Sequence, residues 1–289
     1  MRYGLIDGYN MAFRAFYGMP ELTRKDGFPT GALHGWVRSL WWIEDHVELD
    51  RLLVFFDLGG AKRQTDLRSD YKANRGETPE ALEQQVPVIK EWTRAGGYIG
   101  IERDGIEADD LIASAARQCR DQGDSVLIIS ADKDLAQLVG EGVHQLVPPP
   151  TANPRLGWKE LDSEGVRAKF GINAAQVADY LALIGDTADN IPGLKGVGPK
   201  TAAKWLQQYG TLEGVIAHSG ELMPKRFQQQ VYAEAESLRC NLQMTRLDTE
   251  LPVTLASATE PDRARALEIL REMEMGKTAD AYAERLERA

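Results

Sequence analysis

The chain is 289 residues long, 43% hydrophobic and 27% charged, with a formal net charge of −10. This is the composition of a globular protein with room for one good core and a smaller appended unit. It excludes a membrane span, since no apolar run approaches the roughly 18 residues required, and Met1-Arg2-Tyr3 leads into a strand without a secretory signal core, so a cytoplasmic protein is expected.

In chain order, the pattern predicts a strand over 3–7, a helix from about Asn10, and a longer helix over 30–47 with Leu33, Trp36, Val37, Leu40 and Trp41 on one face. A strand over 51–57 runs into Gly59-Gly60 and a polar, basic stretch to Arg75. Thr78-Pro79-Glu80 reads as a helix start, with Thr78 as cap and Pro79 at the first helical position; that helix stops at Gly96-Gly97. Strand, helix and strand follow over 98–101, 108–121 and 125–130, then a helix from about 133 and a strand over 143–147. Such alternation specifies an α/β fold with a mostly parallel central sheet flanked by helices. The stretch from Pro148 to Pro154 is a connector. Past about 160 helical spacing dominates, over 163–170, 174–184, 199–208, 211–217 and 225–243, with one amphipathic helix or two short ones over 260–287. Cys119 lies on the apolar stripe of Leu111, Ile112, Ala115 and Ala116, as a buried small hydrophobe would.

Nine carboxylates recur where short apolar runs end. Asp7 and Asp57 close the first two strands, Glu107, Asp109 and Asp110 open a helix, Asp132 and Asp134 follow the next strand, and Asp186 and Asp189 share a turn. In a parallel sheet the carboxyl ends of the strands share one edge, so these acids converge on one cleft. Two carboxylates about 4 Å apart repel by roughly 4 kcal/mol at an effective dielectric near 20. A cluster this dense is tolerable around cations, and it reads as a site for two divalent metals, Mg²⁺ or Mn²⁺. Helix-dipole stabilisation accounts for one or two acids at a helix start, but not for three followed by another pair.

Asp186 and Asp189 are spaced so that one helical turn would align them. The segment that follows, Ile191 to Ala202, has the makings of a hairpin that holds a phosphate backbone. Gly196 and Gly198 let the main chain approach, Pro199 starts a helix whose free N–H groups face an anion, and Lys195 and Lys200 add charge. A glycine-rich connector between packed helices is the plainer alternative. Tyr71-Lys72-Ala73-Asn74-Arg75 could grip a phosphate and stack a base, or be a solvated charged loop. The net acidity does not exclude DNA, because the positive residues cluster at Lys62, Arg63, Arg68, Lys72 and Arg75, and again at Lys195, Lys200 and Lys204. No histidine or cysteine has zinc spacing, and neither a Gly-x-Ser-x-Gly elbow nor a Walker loop is present.

Six segments in this order resemble the 5′-nuclease family, the 5′→3′ exonuclease domain of bacterial DNA polymerase I and the flap endonucleases. They are Leu5-Ile6-Asp7-Gly8-Tyr9-Asn10 with Phe13-Arg14-Ala15-Phe16; Phe56-Asp57; Tyr71 to Arg75; Glu107-Ala108-Asp109-Asp110; Asp132-Lys133-Asp134-Leu135-Ala136-Gln137-Leu138; and Gly185-Asp186 through Thr201-Ala202. The match spans about 1–250. The resemblance implies a PIN-like nuclease core over 1–158 with a helical arch at about 61–95, an all-helical helix–three-turn–helix DNA-binding unit over 159–255, and a C-terminal helical extension over 256–289. It implies that Asp7, Asp57, Glu107, Asp109, Asp110, Asp132, Asp134, Asp186 and Asp189 arrange the metals. Arg14, Lys72 and Arg75 would sit near the scissile phosphate, with Tyr71 at the arch base. Lys195, Gly196, Val197, Gly198, Lys200 and Thr201 would hold the DNA backbone, with a K⁺ ion at Gly196–Gly198. The family often has Phe-Arg seven residues before Tyr-Lys; here Gln64 is preceded by Arg63, so the arginine is displaced by one position.

The expected activity is that of a standalone, monomeric, structure-specific 5′→3′ exonuclease or 5′-flap endonuclease in replication or repair. It would act on DNA with 5′ ends, flaps or nicks, or on RNA–DNA hybrids, leaving 5′-phosphate and 3′-hydroxyl ends. An RNA-directed nuclease of the same architecture and a non-catalytic DNA-junction binding protein are the competing readings.

Overall fold

Successive residues of the central strands point to opposite faces of a sheet, and both sets are apolar here, so the sheet has to be covered by helices on both sides. The computed structural model, which describes residues 1–255 and 260–288, has this arrangement. Five parallel strands, β1 (Arg2–Asp7), β2 (Arg51–Asp57), β3 (Ile99–Arg103), β4 (Ser125–Ile129) and β5 (Val143–Val147), are joined by an antiparallel edge strand, β6 (Lys159–Leu161). Their spatial order is β3-β2-β1-β4-β5-β6. The order reverses between β1 and β4, and an open α/β sheet has its crevice beyond the carboxyl ends at such a point.

On one face, Ile6, Val54, Phe56, Leu127 and Ile129 pack against α1 (Gly8–Gly18) and α2 (Gly31–His46). Between β2 and β3 run two short helices, α3 (Lys62–Leu67) and α4 (Glu80–Glu83), then α5 (Val86–Ala95). The last of these buries Ile89 and Trp92 in the same core as Trp36 of α2, whose indole N–H donates to Thr93 Oγ1 (3.0 Å). On the other face, Tyr3, Leu5, Leu53, Phe55, Val126 and Ile128 meet α6 (Ala108–Asp121) through Leu111, Ile112, Ala115 and the buried Cys119.

A second body follows, built of α7 (Ser163–Phe170), α8 (Val177–Ile184), α9 (Pro199–Tyr209), α10 (Leu212–Ala217), α11 (Gln228–Ala233) and α12 (Ala235–Thr245) around Val177, Leu181, Trp205, Leu206 and Phe227. Finally α13 (Arg263–Glu272) and α14 (Gly276–Arg288) return to the first body. Ile269, Leu270 and Tyr282 join the core of Trp92, and Arg285 pairs with Glu44 and Asp45 of α2. The start expected for this extension, 256–259, lies outside the described residues. Among the described residues no helix is long and apolar enough to cross a membrane.

Four local expectations change. Thr78 does not cap a helix: Pro79 itself precedes α4, and no side chain closes that end. The helix expected from 133 is a single 3₁₀ turn, Asp134–Leu138, because the chain must reach β5 within a few residues. The stretch 225–243 breaks into a 3₁₀ turn and two helices, with Glu234 outside helical geometry. Asp186 and Asp189 are aligned by a two-residue ribbon, β7 (Gly185–Asp186) against β8 (Ile191–Pro192), and not by a helical turn.

That ribbon depends on glycine. Gly185 has φ +77°, and a Cβ on Gly193 would lie 2.1 Å from the carbonyl of Ile184. Gly193→Ala is expected to cost about 1–3 kcal/mol and to lower the melting temperature. Gly220→Ala, whose added methyl meets nothing within 4 Å, is expected to melt like the parent; equal melting of both variants would contradict the packing described here.

Candidate active site

The cleft beyond the carboxyl ends of β1 and β2 has a volume of about 670 Å³ and is lined by Asp7, Asp57, Glu107, Asp109, Asp132, Tyr71, Lys72 and Arg75, with Tyr9, Asn10 and Phe13 of α1. Two sets of three carboxylates stand close enough to share an ion. Asp7, Asp109 and Asp132 present oxygens within 4.8 Å of one another, and so do Asp134, Asp186 and Asp189. The main-chain N–H of Asp134 donates to Asp132 Oδ1 (2.9 Å), so one loop joins the two sets.

Each acid is placed by an identifiable contact. Asp7 ends β1 and caps α1 through Asn10 N (3.1 Å), while Ser130 Oγ donates to its other oxygen (2.8 Å). Asp57 ends β2 and accepts from Ala108 N (2.8 Å), tying the start of α6 to the sheet edge. Glu107 is joined to Asp189 by the 71–75 segment. The Tyr71 hydroxyl lies 3.0 Å from Glu107 Oε2 and 3.1 Å from Asp189 Oδ2, sharing its one proton between them. Lys72 pairs with Glu107, Arg75 with Asp189 Oδ1 (2.9 Å) and Lys133 with Asp186 Oδ2 (2.7 Å).

Burial dominates the electrostatics. It pushes the Asp7 carboxyl up to about 7, with Asn10 and Ser130 pulling down and Asp132 pushing further up. Burial and then neighbouring carboxylates hold Asp109 and Asp134 well above the ordinary range. Burial raises Glu107 against the pull of Lys72. For Lys72 burial acts downward, but Glu107 and Asp189 outweigh it and leave the ammonium above its ordinary value. Asp134 Oδ1 is buried without a hydrogen-bond partner. Oxygen-only ligand sets, in which burial and like charge raise the carboxyls of Asp7, Asp109 and Asp134 and one oxygen is left open, fit hard divalent cations.

The structure brings together eight of the nine expected acids and leaves one out. Asp110 turns away from the cleft: it accepts from Arg63 (3.1 Å), Gln64 (3.2 Å) and the main-chain N–H of Asp248 (2.8 Å). It anchors α3 and the segment after α12 to α6, which gives the displaced Arg63 a structural place. Arg63 also donates to the carbonyls of Gln243 and Arg246 (3.1 and 3.0 Å). Arg14 is also absent from the cleft lining. It faces a neighbouring groove with Arg38, Trp42 and Trp158, where burial lowers its pKa. In the hairpin between β8 and α9, Lys195, Gly196 and Lys200 are exposed, Gly198 and Thr201 half-buried, and Val197 is buried, leaving only its main chain to face a ligand. Lys133, Ser130 and Asn10 also belong to the site, although no sequence pattern marks them individually; Lys133 is marked only by its place inside the Asp132–Asp134 motif.

Residues 2–171 match the family described as 5′-3′ exonuclease, N-terminal resolvase-like domain, and residues 172–264 its partner, 5′-3′ exonuclease, C-terminal SAM fold. The chain belongs to the 5′-3′ exonuclease family. It is 35% identical over 275 residues to a 5′-3′ exonuclease of Aquifex aeolicus, covering 94% of this chain and 91% of that protein. It is 38% identical over 259 residues to DNA polymerase I of Rhizobium leguminosarum, covering 87% of this chain and a quarter (25%) of the polymerase. Among solved structures it is similar to the bacteriophage T5 flap endonuclease in a pseudo-enzyme–product complex with DNA and metal ions, with a TM-score of 0.70 at 19% identity over 98% of each chain. It is also similar to the catalytic core of Rad2 in complex with DNA substrate, with a TM-score of 0.63 at 15% identity over 97% of this chain and 90% of that one. The fold is thus the expected PIN-like nuclease core, with a helical SAM-like unit after it.

The raised carboxyls predict how the metal-free protein responds to pH. Unfolded, Asp7 loses its proton near 3.8; folded, it keeps it until about 7. Between those values the folded state binds more protons, so stability is greatest at the acid end and falls as pH rises through 7. The metal-free protein is expected to melt lower at pH 8 than at pH 5.5, and Asp7→Asn to flatten that slope. A wild-type melting temperature that climbs across this window would contradict the assignment.

Proposed function

We propose that the protein is a divalent-metal-dependent, structure-specific 5′-nuclease that hydrolyses DNA at 5′ ends, flaps and nicks. The observation that carries this reading is the convergence of two carboxylate triads at the sheet's switch point, bordered by Lys72 and Arg75. Asp7, Asp109 and Asp132 would hold one Mg²⁺ or Mn²⁺ ion and Asp134, Asp186 and Asp189 a second, with Glu107 and Asp57 beside them. Bound there, such ions supply Lewis acidity toward a phosphodiester and lower the pKa of water.

The chain's own residues do the remainder. Lys72 and Arg75 hold positive charge at the cleft, where it stabilises the nonbridging oxygens as charge builds on them. Phe13 and Tyr9 give the cleft an apolar wall on the α1 side. Terminal nucleotides have to unpair for the phosphate to enter, at a cost of a few kcal/mol. The products carry 5′-phosphate and 3′-hydroxyl ends. Duplex lies along the Gly196–Gly198 hairpin and the start of α9, whose contacts read phosphates and not bases. A K⁺ ion at that hairpin belongs to the same reading, on the resemblance of Gly196-Val197-Gly198 to the family's cation-binding turn. So do a role in replication or repair, action on RNA–DNA hybrids, a cytoplasmic location and a monomeric state.

A labelled 5′-flap substrate is expected to be cut in Mg²⁺ and spared in EDTA; equal cutting in both overturns the metal dependence. Asp132→Ala should lose at least 100-fold in turnover while keeping most of its DNA affinity. Lys200→Glu should weaken duplex binding at every sequence and lower the salt slope by about one. Faster cutting of an all-RNA hairpin would move the substrate to RNA, and tight binding with no cutting in any divalent metal would leave a junction-binding protein.

A further inference from the structure

The loop that carries Asp132 is gripped from behind by a residue that does not reach the cleft. We propose that Gln145, in the middle of β5, is a positioning residue for the metal-binding carboxylates: it fixes the main chain of Ser130–Asp132 so that Asp132 converges with Asp7 and Asp109. This rests on the metal-dependent reading above and names a residue that reading does not use.

The Gln145 side chain is fully buried (0% exposed). Its Nε2 donates to two main-chain carbonyls of the loop, Ser130 O at 3.0 Å and Asp132 O at 2.6 Å, so both amide protons are spent on the loop. Its Oε1 is buried and unpartnered. Turning the amide over would set that oxygen against two carbonyl oxygens, so the donor orientation is forced. A leucine or methionine would fill this place in β5, on the face shared by the apolar Val143 and Val147, without a buried amide oxygen of its own to strand. What glutamine adds is the grip on the loop.

The grip has a load to bear. The oxygens of Asp7, Asp109 and Asp132 lie within 4.8 Å of one another, and like charge pushes Asp132 outward. The strand ladder ends where Ser130 N donates to Leu146 O (3.3 Å). Beyond that point the loop is held by Asn10 Oδ1, which accepts from Ala131 N (3.0 Å), and by Ser130 Oγ, which accepts from Asp132 N (3.0 Å) while donating to Asp7. Both of those anchors act on N–H groups; Gln145 secures the carbonyls on either side of Ala131. Outer partners of this kind commonly change metal affinity 10–100-fold when removed.

The test uses Gln145→Leu and the unbranched Gln145→Met, each checked by thermal melting without metal. The readouts are Mn²⁺ affinity by calorimetry, hydrogen exchange of the 131–134 amides in the metal-free protein, and the Mn²⁺ concentration that half-saturates flap cutting. Both variants are expected to remain folded, melting somewhat below wild type because two loop carbonyls lose their donor, and to exchange those amides at least fivefold faster. Mn²⁺ should bind about tenfold more weakly, with DNA affinity unchanged. Wild-type Mn²⁺ affinity and exchange in both variants overturns the proposal, and so does a lowered melting temperature with Mn²⁺ affinity intact. A wild-type protein that binds no Mn²⁺ would instead overturn the metal reading underneath it.

Discussion

Like-charge repulsion at the carboxyl edge of one sheet is the constraint on which the rest of the architecture depends. Parallel strands deliver Asp7 and Asp57 to the same edge, the start of α6 adds Glu107 and Asp109, and the loop after β4 adds Asp132 and Asp134. Without cations the protein meets this load in two ways. Burial and neighbouring carboxylates raise some carboxyls, Asp7 to about 7 and Asp109 well above its ordinary value. Others are met by Lys72, Arg75 and Lys133, all drawn from segments flanking the cleft. The same three cations would compete with metals for carboxylate oxygens and, once displaced, face a substrate phosphate.

The constraint also explains why the two bodies of the chain are joined where they are. The second triad takes Asp134 from the nuclease core and Asp186 and Asp189 from the ribbon after α8. The 70–75 segment locks onto that ribbon: Lys72 N donates to the Asp189 carbonyl (3.1 Å), and Asn74 meets Asn190 (2.6 Å). Asn241, buried in α12, donates to the carbonyls of Ala182 in α8 and Pro192 in β8 (3.2 and 2.7 Å), tying the ribbon to the helix before it. Lys72 and Arg75 on one side and the Gly196–Gly198 hairpin on the other are therefore set relative to one another by a few polar contacts across one junction.

Much of this was legible in the sequence because it is local. The six- and seven-residue strands β1 and β2, each ending in Asp, read directly from hydrophobic runs, and the glycine–proline turn before α9 announces itself by composition. What failed was direction. Asp109 and Asp110 are adjacent, but neighbouring helical positions point about 100° apart, so one faces the cleft and the other α3. Arg14 lies one helical turn beyond Asn10, yet it opens onto the groove with Arg38 and not onto the acids. Gln145 had no local signal at all: a single polar residue in a strand gains meaning only from the loop that folds behind the neighbouring strand.

The chemistry of the cleft depends on metal at the two triads. Crystals soaked in Mn²⁺ and measured at the manganese absorption edge give the most direct answer. Two anomalous peaks are predicted, one among Asp7, Asp109 and Asp132 and one among Asp134, Asp186 and Asp189. Peaks absent from both triads at saturating Mn²⁺, or found only at surface carboxylates elsewhere, would contradict it.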